Sequence, residues 1–296
     1  MSVPSTEQIR TAVRRALDED LAWGDVTTAA LFPAPIPARG IVTAHQTLVL
    51  AGMAVAREVF TAVDPKVRII RALEDGTPAK KGQAVLTVQG DARSLLMAER
   101  VALNFLQHLS GIATVTGQFC RAVRGSRATI LDTRKTTPGL RTLQKWAVRL
   151  GGGQNHRHSL GDGILIKDNH LLLLQGRHIG IAQACLLARR HAPHGLRISV
   201  EVQTLEQTRE ALRGEADVIL LDNMTPPLVR KAVALIHGRA LTEVSGGITL
   251  QNVRQMAEAG ADFISIGALT HSAPAADLSM DILPLRFPGQ PRKQGR

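Results

Sequence analysis

The sequence ISVEVQTLEQTREALRGEADVILLDN, residues 198–223, decides the fold because two strand patterns flank a helix pattern in it. Ile198–Val202 and Val218–Leu221 are short and almost continuously apolar, whereas residues 204–213 have the apolar spacing of an amphipathic helix. Strands that are apolar on both faces and joined through helices pair in parallel, with the helices outside. The stretch therefore predicts a βαβ unit.

The same alternation extends through the second half of the chain. Further apolar runs lie at Thr129–Leu131, Ile164–Ile166, Leu241–Val244 and Phe263–Ile266, and further helical patterns lie at 139–150, 171–191, 226–237 and 250–259. So many strand–helix units in half of a 296-residue chain indicate an α/β barrel, and an incomplete one, better than an open sheet.

The first half has a different pattern. Residues 5–20 are predicted to form a helix, and several short strand patterns with glycine-containing turns follow between residues 38 and 90. A long helical stretch covers 94–123, in which Gly111 and Gly117 are expected to cause a break or a kink.

Composition limits the class of protein. Hydrophobic residues make up 44% and charged residues 21% of the chain, which is typical of a globular protein. The apolar runs are too short and too interrupted to span a membrane, and the N-terminus lacks the apolar core of a signal peptide. Cys120 and Cys185 stand alone, as expected of thiols in a reducing compartment. We therefore expect a cytoplasmic protein with no membrane partner.

The formal charge of +11 raises the question of nucleic acid. Aromatic residues are only 3% of the chain and tyrosine is absent, whereas single-strand binders need aromatic side chains on which bases stack. Residues 286–296 contain four of the cations and no acid, so we expect a disordered basic tail. No nucleic-acid partner is predicted, and a pocket for a small anion explains the central cations better.

Cations are concentrated between residues 130 and 170, beside apolar runs and glycine-rich turns. Such a cluster suits a multiply charged anion. Polar residues also follow nearly every strand pattern, and the strand C-termini of a barrel form one face. The cations of the cluster are Arg134, Lys135, Arg141, His156, Arg157 and Lys167. The residues at the strand ends are Asp132, Thr133, Arg134, Lys135, Lys167, Glu201, Asp222, Asn223, Ser245, Gly246, Gly247, Gly267, Thr270 and His271.

Two carboxylates and two glycine-containing turns suggest further chemistry. Glu201 and Asp222 could hold Mg²⁺ or stabilise a developing positive charge, although each could instead pair with a neighbouring lysine. Ser245–Leu250 and Ile266–Ser272 place small residues where helices are expected to begin, which is typical of phosphate-binding turns.

Other kinds of site fit less well. His156, His158 and His170 lack the spacing of a helical zinc-ligand pair and have no cysteine partners. Gly151-Gly-Gly153 belongs to neither a dinucleotide fingerprint nor a Walker loop. Neither cysteine lies in a setting that would activate a nucleophile.

Several ordered motifs closely resemble those of the quinolinate phosphoribosyltransferase family, from Trp23 to about residue 284. They include Glu99–Asn104, Asp132-Thr-Arg-Lys-Thr-Thr-Pro-Gly-Leu-Arg141, Gly151-Gly-Gly-Gln-Asn-His-Arg157, Leu165-Ile-Lys-Asp-Asn-His170, Val200-Glu-Val202, Leu221-Asp-Asn223, Val244-Ser-Gly-Gly-Ile248 and Ile264–Ala268. The resemblance implies an N-terminal α/β sandwich domain over residues 1–115 and a seven-stranded α/β barrel over 116–285. It also implies a homodimer, possibly a higher oligomer, with shared active sites.

The resemblance further implies a reaction and a role for each motif residue. Phosphoribosyl transfer from 5-phosphoribosyl 1-pyrophosphate to quinolinate, with decarboxylation, would give nicotinate mononucleotide for NAD synthesis with Mg²⁺ as cofactor. Lys135, Lys167, Glu201 and Asp222 would be catalytic, and Glu201 and Asp222 would face the metal. Quinolinate would contact Arg100 of the partner subunit and Thr133, Arg134, Lys135, His156, Arg157 and Lys167. The phosphoribosyl donor would contact Glu201, Asp222, Ser245, Gly246, Gly247, Gly267 and His271.

Trp146 and His158-Ser159 depart from the family pattern at positions expected to lie behind the substrate contacts. Two alternatives stay open at this point. One is the paralogous protein of molybdenum-transport operons, against which the Leu165–His170 motif with Lys167 argues. The other is a non-catalytic basic binding protein, which would gain nothing from Glu201 and Asp222.

Overall fold

The structure is a computed structural model that describes residues 3–285. The chain forms two units, which are treated separately here. The first unit contains the chain up to Thr114 together with the segment that begins at Pro274, and the second unit covers Val115–Ala273. The tail predicted for residues 286–296 lies outside the described residues. Within residues 3–285, no helix is both long and apolar enough to cross a membrane.

The first unit is built around an antiparallel sheet with the strand order β12-β1-β5-β3. Helix α1 begins as predicted, because Ser5 and Gln8 form a capping box that satisfies backbone N–H groups at its start. The elements are α1 Thr6–Asp20, α2 Val26–Leu31, β1 Pro37–Ala44, β2 Leu48–Val49, α3 Met53–Val63, β3 Arg68–Ala72, β4 Pro78–Ala79, β5 Ala84–Asp91 and α4 Ala92–Ala122, with β12 Leu278–Pro284.

The last strand corrects the predicted domain boundary. β12 pairs with β1 along its whole length, from Ala38 opposite Pro284 to Ala44 opposite Leu278. The second unit therefore ends at Ala273, and not at residue 285 as the family resemblance implied.

Helix α4 is continuous over 31 residues, so the expected break at Gly111 or Gly117 does not occur. Gly111 has another purpose, because a Cβ atom there would lie 2.0 Å from the carbonyl oxygen of Pro274. The residue is a glycine because another backbone passes against the helix at this point.

The second unit is an α/β sheet of six parallel strands in the order β6-β11-β10-β9-β8-β7, which confirms the partial barrel. Its strands are β6 Thr129–Leu131, β7 Ile164–Ile166, β8 Ile198–Val202, β9 Val218–Asp222, β10 Leu241–Ser245 and β11 Phe263–Ser265. Its helices are α5 Arg141–Leu150, α6 Asp168–Gln175, α7 Ile181–His191, α8 Leu205–Arg213, α9 Pro226–Ile236, α10 Val253–Glu258 and α11 Ala268–His271.

Two features of this unit differ from the sequence-based expectation. In place of a seventh strand there is a single parallel bridge between Gln154 and Leu131, where glycine-rich backbone leaves the sheet after one contact. The one helix predicted over 171–191 is two helices, because the chain turns between Gly176 and Gly180.

Strand register determines which residues enter the barrel interior. Val202, Leu221 and Val244 share one register level and are almost completely buried against the helices. Because side chains alternate along a strand, the neighbouring level of Glu201, Leu220 and Glu243 faces the opposite side. Two acidic residues therefore point into the interior of the barrel.

The close approach at Gly111 can be tested. Gly111→Ala should destabilise the protein by about 1–3 kcal/mol because the new methyl group meets backbone, and this loss exceeds the roughly 1 kcal/mol gained in helix propensity. Urea unfolding measures the difference. Gly176→Ala is the matched control, since its nearest contact would be an ordinary 3.7 Å. Equal stability of the two variants would contradict the packing argument.

Candidate active site

Glu201 lies on the interior side of β8 and forms an ion pair with Lys167. Lys167 follows β7 directly, and its Nζ atom donates to Glu201 Oε1 at 3.0 Å. The lysine side chain is 46% exposed and the glutamate side chain 16% exposed, so the pair lies at the rim and not in the core. The lysine pairing considered from the sequence is thus realised for Glu201.

Asp222 ends β9 in a different environment. Its Oδ2 atom accepts hydrogen bonds from the side-chain amides of Gln203, at 3.3 Å, and Asn223, at 3.0 Å. Within residues 3–285 it forms no salt bridge. Asp222 therefore has only amide partners, whereas Glu201 has a cationic partner in Lys167.

The two central cation-rich segments meet at Asp132. This carboxylate follows β6 and is fully buried, and its Oδ1 atom accepts the backbone N–H of His156 at 2.8 Å. Asn155 donates to Oδ2 at 2.6 Å, and the buried ammonium of Lys145 contacts Oδ1. Residues 132–135 are therefore joined to residues 155–157, as the clustering in the sequence predicted.

Arg134 and Arg157 carry buried donors that lack a partner. The Nε atom of each is buried without a hydrogen bond within the described part of the chain, although Arg157 Nη1 donates to the carbonyl of Gly163 at 2.9 Å. Burial lowers the pKa of Arg157, and the nearby charge of Arg134 lowers it further. Unused donors on two mutually repelling cations are what a bound carboxylate would satisfy.

His156 is held at both ring nitrogens. Its Nδ1 atom accepts the backbone N–H of Arg157 at 2.7 Å, which places the proton of the neutral ring on Nε2. Nε2 lies 3.4 Å from Glu243 Oε2. In this arrangement the imidazole links the Glu243 carboxylate to the Arg157 backbone.

Glu243 is a site residue that the sequence interpretation missed. It lies in the middle of β10, is only 3% exposed, and its Oε1 atom is buried without a partner. The signal was available, because Glu243 stands between Thr242 and Val244 in a strand pattern, just as Glu201 stands between two valines. A charged residue on the interior side of a barrel strand needs a partner or a ligand.

The turn after β10 is held by backbone geometry at two glycines. Gly246 has φ +88°, and a Cβ there would lie 2.2 Å from Asn223 Oδ1, so another residue would strain the backbone and displace the Asn223 side chain. Gly247 has φ +61° and open space beside it. Ser245 begins the turn opposite Asp222. Helix α10 starts only at Val253, several residues later than the pattern suggested.

The turn after β11 brings Lys135 close to the last predicted residues. Gly267 caps α11, and a Cβ there would lie 3.0 Å from His271 Nε2 and 3.1 Å from Lys135 Cδ. The hydroxyl of Thr270 donates to the Lys135 carbonyl at 2.8 Å. Lys135 therefore runs along this turn and connects it with the cation segment.

The remaining residues of the predicted motifs have separate environments. Arg141 is structural, since it donates to the backbone carbonyl of His158 at 3.0 Å and to the Thr136 hydroxyl at 3.0 Å. Thr133 accepts the backbone N–H of Lys135 through its hydroxyl at 3.0 Å. Arg100 belongs to the first unit, where it lies on α4 with a 61% exposed side chain, 3.9 Å from Glu99.

Metal binding here would need help from a ligand. Within residues 3–285, no group of three or more histidine, cysteine or acidic side chains could hold a metal ion. A cavity of about 280 Å³ opens beside Glu201 and is lined by polar and leucine side chains of α6 together with Gln203 and Gln207. Mg²⁺ keeps several waters and is usually bound by one or two carboxylates together with substrate oxygens, so it does not need such a group of protein ligands.

Comparison with known proteins gives the relatives of this chain. The C-terminal domain of quinolinate phosphoribosyl transferase matches residues 112–281, and the N-terminal domain of the same family matches residues 25–110. A nicotinate-nucleotide pyrophosphorylase [carboxylating] from Mycobacterium leprae is 46% identical and covers 92% of this chain and 96% of its own.

Two further relatives support the match over the whole length. A probable nicotinate-nucleotide pyrophosphorylase [carboxylating] from Bacillus subtilis is 42% identical, with 93% of each chain covered. The crystal structure of NadC from Streptococcus pyogenes is 40% identical and has a TM-score of 0.89, covering 96% of this chain and 100% of that one.

The unpartnered arginine donors predict stabilisation by a dicarboxylate. Saturating phthalate, which carries two adjacent carboxylates on a flat ring, should raise the free energy of unfolding by about 2–3 kcal/mol at a hundredfold excess over its Kd. Benzoate should stabilise less, and Arg157→Met should abolish most of the effect. Thermal unfolding measures each shift. Arg189→Met, which removes an ion pair with Asp217 distant from these residues in sequence, should keep it. A phthalate shift that survives Arg157→Met would place the dicarboxylate elsewhere.

Proposed function

The chain belongs to the quinolinate phosphoribosyltransferase family, and we propose that it transfers the phosphoribosyl group of 5-phosphoribosyl 1-pyrophosphate to quinolinate. The products are nicotinate mononucleotide, pyrophosphate and CO₂. The protein is thus an enzyme of NAD biosynthesis, a pentosyl-transferring glycosyltransferase.

One observation supports the assignment of this reaction to the candidate site. Buried cation donors, a lysine–glutamate pair and two glycine turns occur at or beside the carboxyl ends of the strands in a single unit. A phosphorylated donor and a dianionic acceptor need these parts together, because their combined charge is costly to remove from water without fixed positive partners.

Quinolinate is proposed to lie against the segments joined at Asp132. The Nε donors of Arg134 and Arg157 have no hydrogen-bond partner in the described chain. The two guanidinium groups also repel each other, and a bound anion would relieve this repulsion. Lys167 donates one hydrogen bond from its ammonium group to Glu201, and its other two N–H donors are available to a substrate carboxylate. His156 and Thr133 complete the wall, with Glu243 holding the His156 ring.

The 5-phosphate of the donor is proposed to bind at the turns Ser245–Gly247 and Gly267–His271. Glycine at 246 and 267 lets the phosphate approach backbone N–H groups closely. Lys135 runs along the second of these turns and also belongs to the cation segment proposed to hold the dicarboxylate, so it is proposed to serve both substrates. It is the residue best situated to bring the two substrates together.

The chemistry requires charge stabilisation more than proton transfer. The pyridine nitrogen forms a bond to ribose C1 while the C1–oxygen bond to pyrophosphate breaks, through a cationic, oxocarbenium-like state. The Glu201 carboxylate, held by Lys167, is fixed to stabilise that charge. The bond between C2 and its carboxylate then breaks, CO₂ leaves, and the electron pair at C2, stabilised by the cationic ring, takes a proton.

Mg²⁺ is proposed to arrive with the donor's pyrophosphate. When bound, it would neutralise pyrophosphate charge and assist its departure. Asp222 fits the metal better than Glu201 does, because its carboxylate has only amide partners whereas Glu201 already pairs with a cation. One protein carboxylate together with phosphate oxygens and water is a usual set for this ion.

We also propose a homodimer in which Arg100 of the partner subunit completes each quinolinate site, as the family resemblance implies. The exposed position of Arg100, on a helix of the other unit, supports this assignment. A cytoplasmic location is proposed because Cys120 and Cys185 are both free thiols.

The decisive assay incubates the protein with quinolinate, phosphoribosyl pyrophosphate and Mg²⁺ and measures nicotinate mononucleotide. Lys135→Ala and Arg157→Ala should each lower kcat/KM at least about a hundredfold, because each removes a charge that meets substrate, while the unfolding midpoint changes little. Arg189→Met should keep full activity. Absence of product from the wild type, with nicotinate also inert, would refute the reaction.

Shared sites predict complementation between inactive variants. Arg100→Ala and Lys167→Ala should each be inactive, but a mixture of the two, dissociated and reassembled, should recover about a quarter of wild-type activity. Half of the randomly formed dimers then contain one subunit of each variant. In each of these dimers, one of the two sites has both the native Arg100 and the native Lys167. Activity is compared before and after reassembly, and no recovery from correctly sized dimers would contradict the shared site.

A further inference from the structure

The Asp132–Lys145 pair is a buried contact with no evident role in the fold itself. Lys145 lies on the buried face of α5, and both side chains have 0% exposure. Transferring two charges from water to such a place costs several kcal/mol per ion, and well-packed apolar replacements are often as stable or more so. Stability alone is therefore a poor reason for this pair.

The partners of the pair point to its role. Asp132 Oδ1 accepts the N–H of His156 at 2.8 Å, and Lys145 Nζ donates to the carbonyl of the same residue at 3.1 Å. Asn155 adds two bonds from its side-chain amide, to Asp132 Oδ2 at 2.6 Å and to the Lys145 carbonyl at 2.8 Å. The backbone of His156 is thus held at both its donor and its acceptor.

Burial strengthens the hydrogen bonds that Asp132 and Lys145 form with the His156 backbone. It raises the pKa of Asp132 and lowers the pKa of Lys145, and the contact between them opposes both shifts. In a dry environment, hydrogen bonds from and to these groups are strong, and losing one partner is costly. The His156 backbone therefore has little freedom to move.

The pair also sits where two substrate-facing segments begin. Asp132 is continuous with Thr133, Arg134 and Lys135, and the residue it holds is continuous with Arg157. Within residues 3–285, the sheet adds only the Gln154–Leu131 bridge between these segments. At the position expected for a seventh strand, the side chains of Asp132, Lys145 and Asn155 therefore join the two segments in place of a backbone ladder.

We propose that the Asp132–Lys145 pair is a positioning device that sets the distance between the Arg134 and Arg157 guanidinium groups and so determines affinity for the vicinal dicarboxylate. This inference rests on the proposed function of the same site. Neither residue of the pair touches substrate; both act through the His156–Arg157 backbone. The phosphoribosyl donor is held at the turns after β10 and β11, where the Thr270 hydroxyl anchors the Lys135 backbone independently of the pair.

A purely structural role makes a different prediction. If the pair only stabilised the second unit, its removal would lower the unfolding midpoint and affect both substrates alike. A positioning role affects mainly quinolinate, since Arg134 and Arg157 shift while Lys135 stays anchored to the turn after β11 by Thr270. The ratio of the two KM values separates the roles.

The test uses the double variant Asp132→Asn with Lys145→Met, which removes both charges, keeps side-chain size and leaves no lone buried ion. We expect the KM for quinolinate to rise about tenfold or more, with less than a twofold change for phosphoribosyl pyrophosphate. Asp262→Asn is the control. Asp262 accepts from the Thr242 backbone and hydroxyl at 2.8 and 2.7 Å, at the opposite ends of the strands, so this change disturbs the same unit without affecting either KM.

Asn155→Ala provides a milder second variant should the double variant not fold, and the same selective rise is expected. Phthalate and inorganic pyrophosphate affinities, measured by calorimetry, give a readout that does not need turnover, and only the first should fall. An unchanged quinolinate KM, or equal changes for both substrates, in folded protein overturns the positioning role. An inactive wild type that still shows the selective loss of phthalate binding would refute the proposed reaction and leave the positioning role intact.

Discussion

Parallel strand register is the constraint on which the site depends. Because neighbouring strands are in register, Glu201, Leu220 and Glu243 lie at one level although they are separated in the chain by helices. Helix-facing positions between them are filled by valine and leucine, and this packing prevents the strands from slipping by one residue. A slip by one residue would move Glu201 or Glu243 from the barrel interior to the side packed against the helices. The apolar packing between strands and helices therefore keeps these acidic residues in the interior.

Within this frame the site keeps its charges in an arrangement that costs stability. Arg134 and Arg157 repel each other, and buried atoms on both of them and on Glu243 have no partner in the described chain. The fold tolerates these unpaired and repelling groups because rigid strands and a buried hydrogen-bond network fix their positions. The benefit is that the anion meets donors that are already in place and need no reorganisation.

Much of this architecture could be predicted, since strands buried on both faces appear as unbroken apolar runs, and this is true of β8 and β9. The missing pieces depend on long-range contacts. β12 was assigned to the wrong unit because its partner, β1, lies at the other end of the chain. Gly111 looked like a helix breaker because nothing local reveals the backbone beside it. Glu243 was missed although it had a local signal, and its importance emerges only when His156 is seen beside it.

The path of β12 has a consequence for how the protein is made. The first unit begins the chain, yet the edge strand that pairs with β1 over seven residues is synthesised after the whole second unit. On the ribosome, β1 therefore waits with an open edge while the barrel sequence emerges and folds. The last strand acts as a completion step for the earliest part of the chain, and a message truncated before Leu278 yields a protein that cannot close its own first sheet.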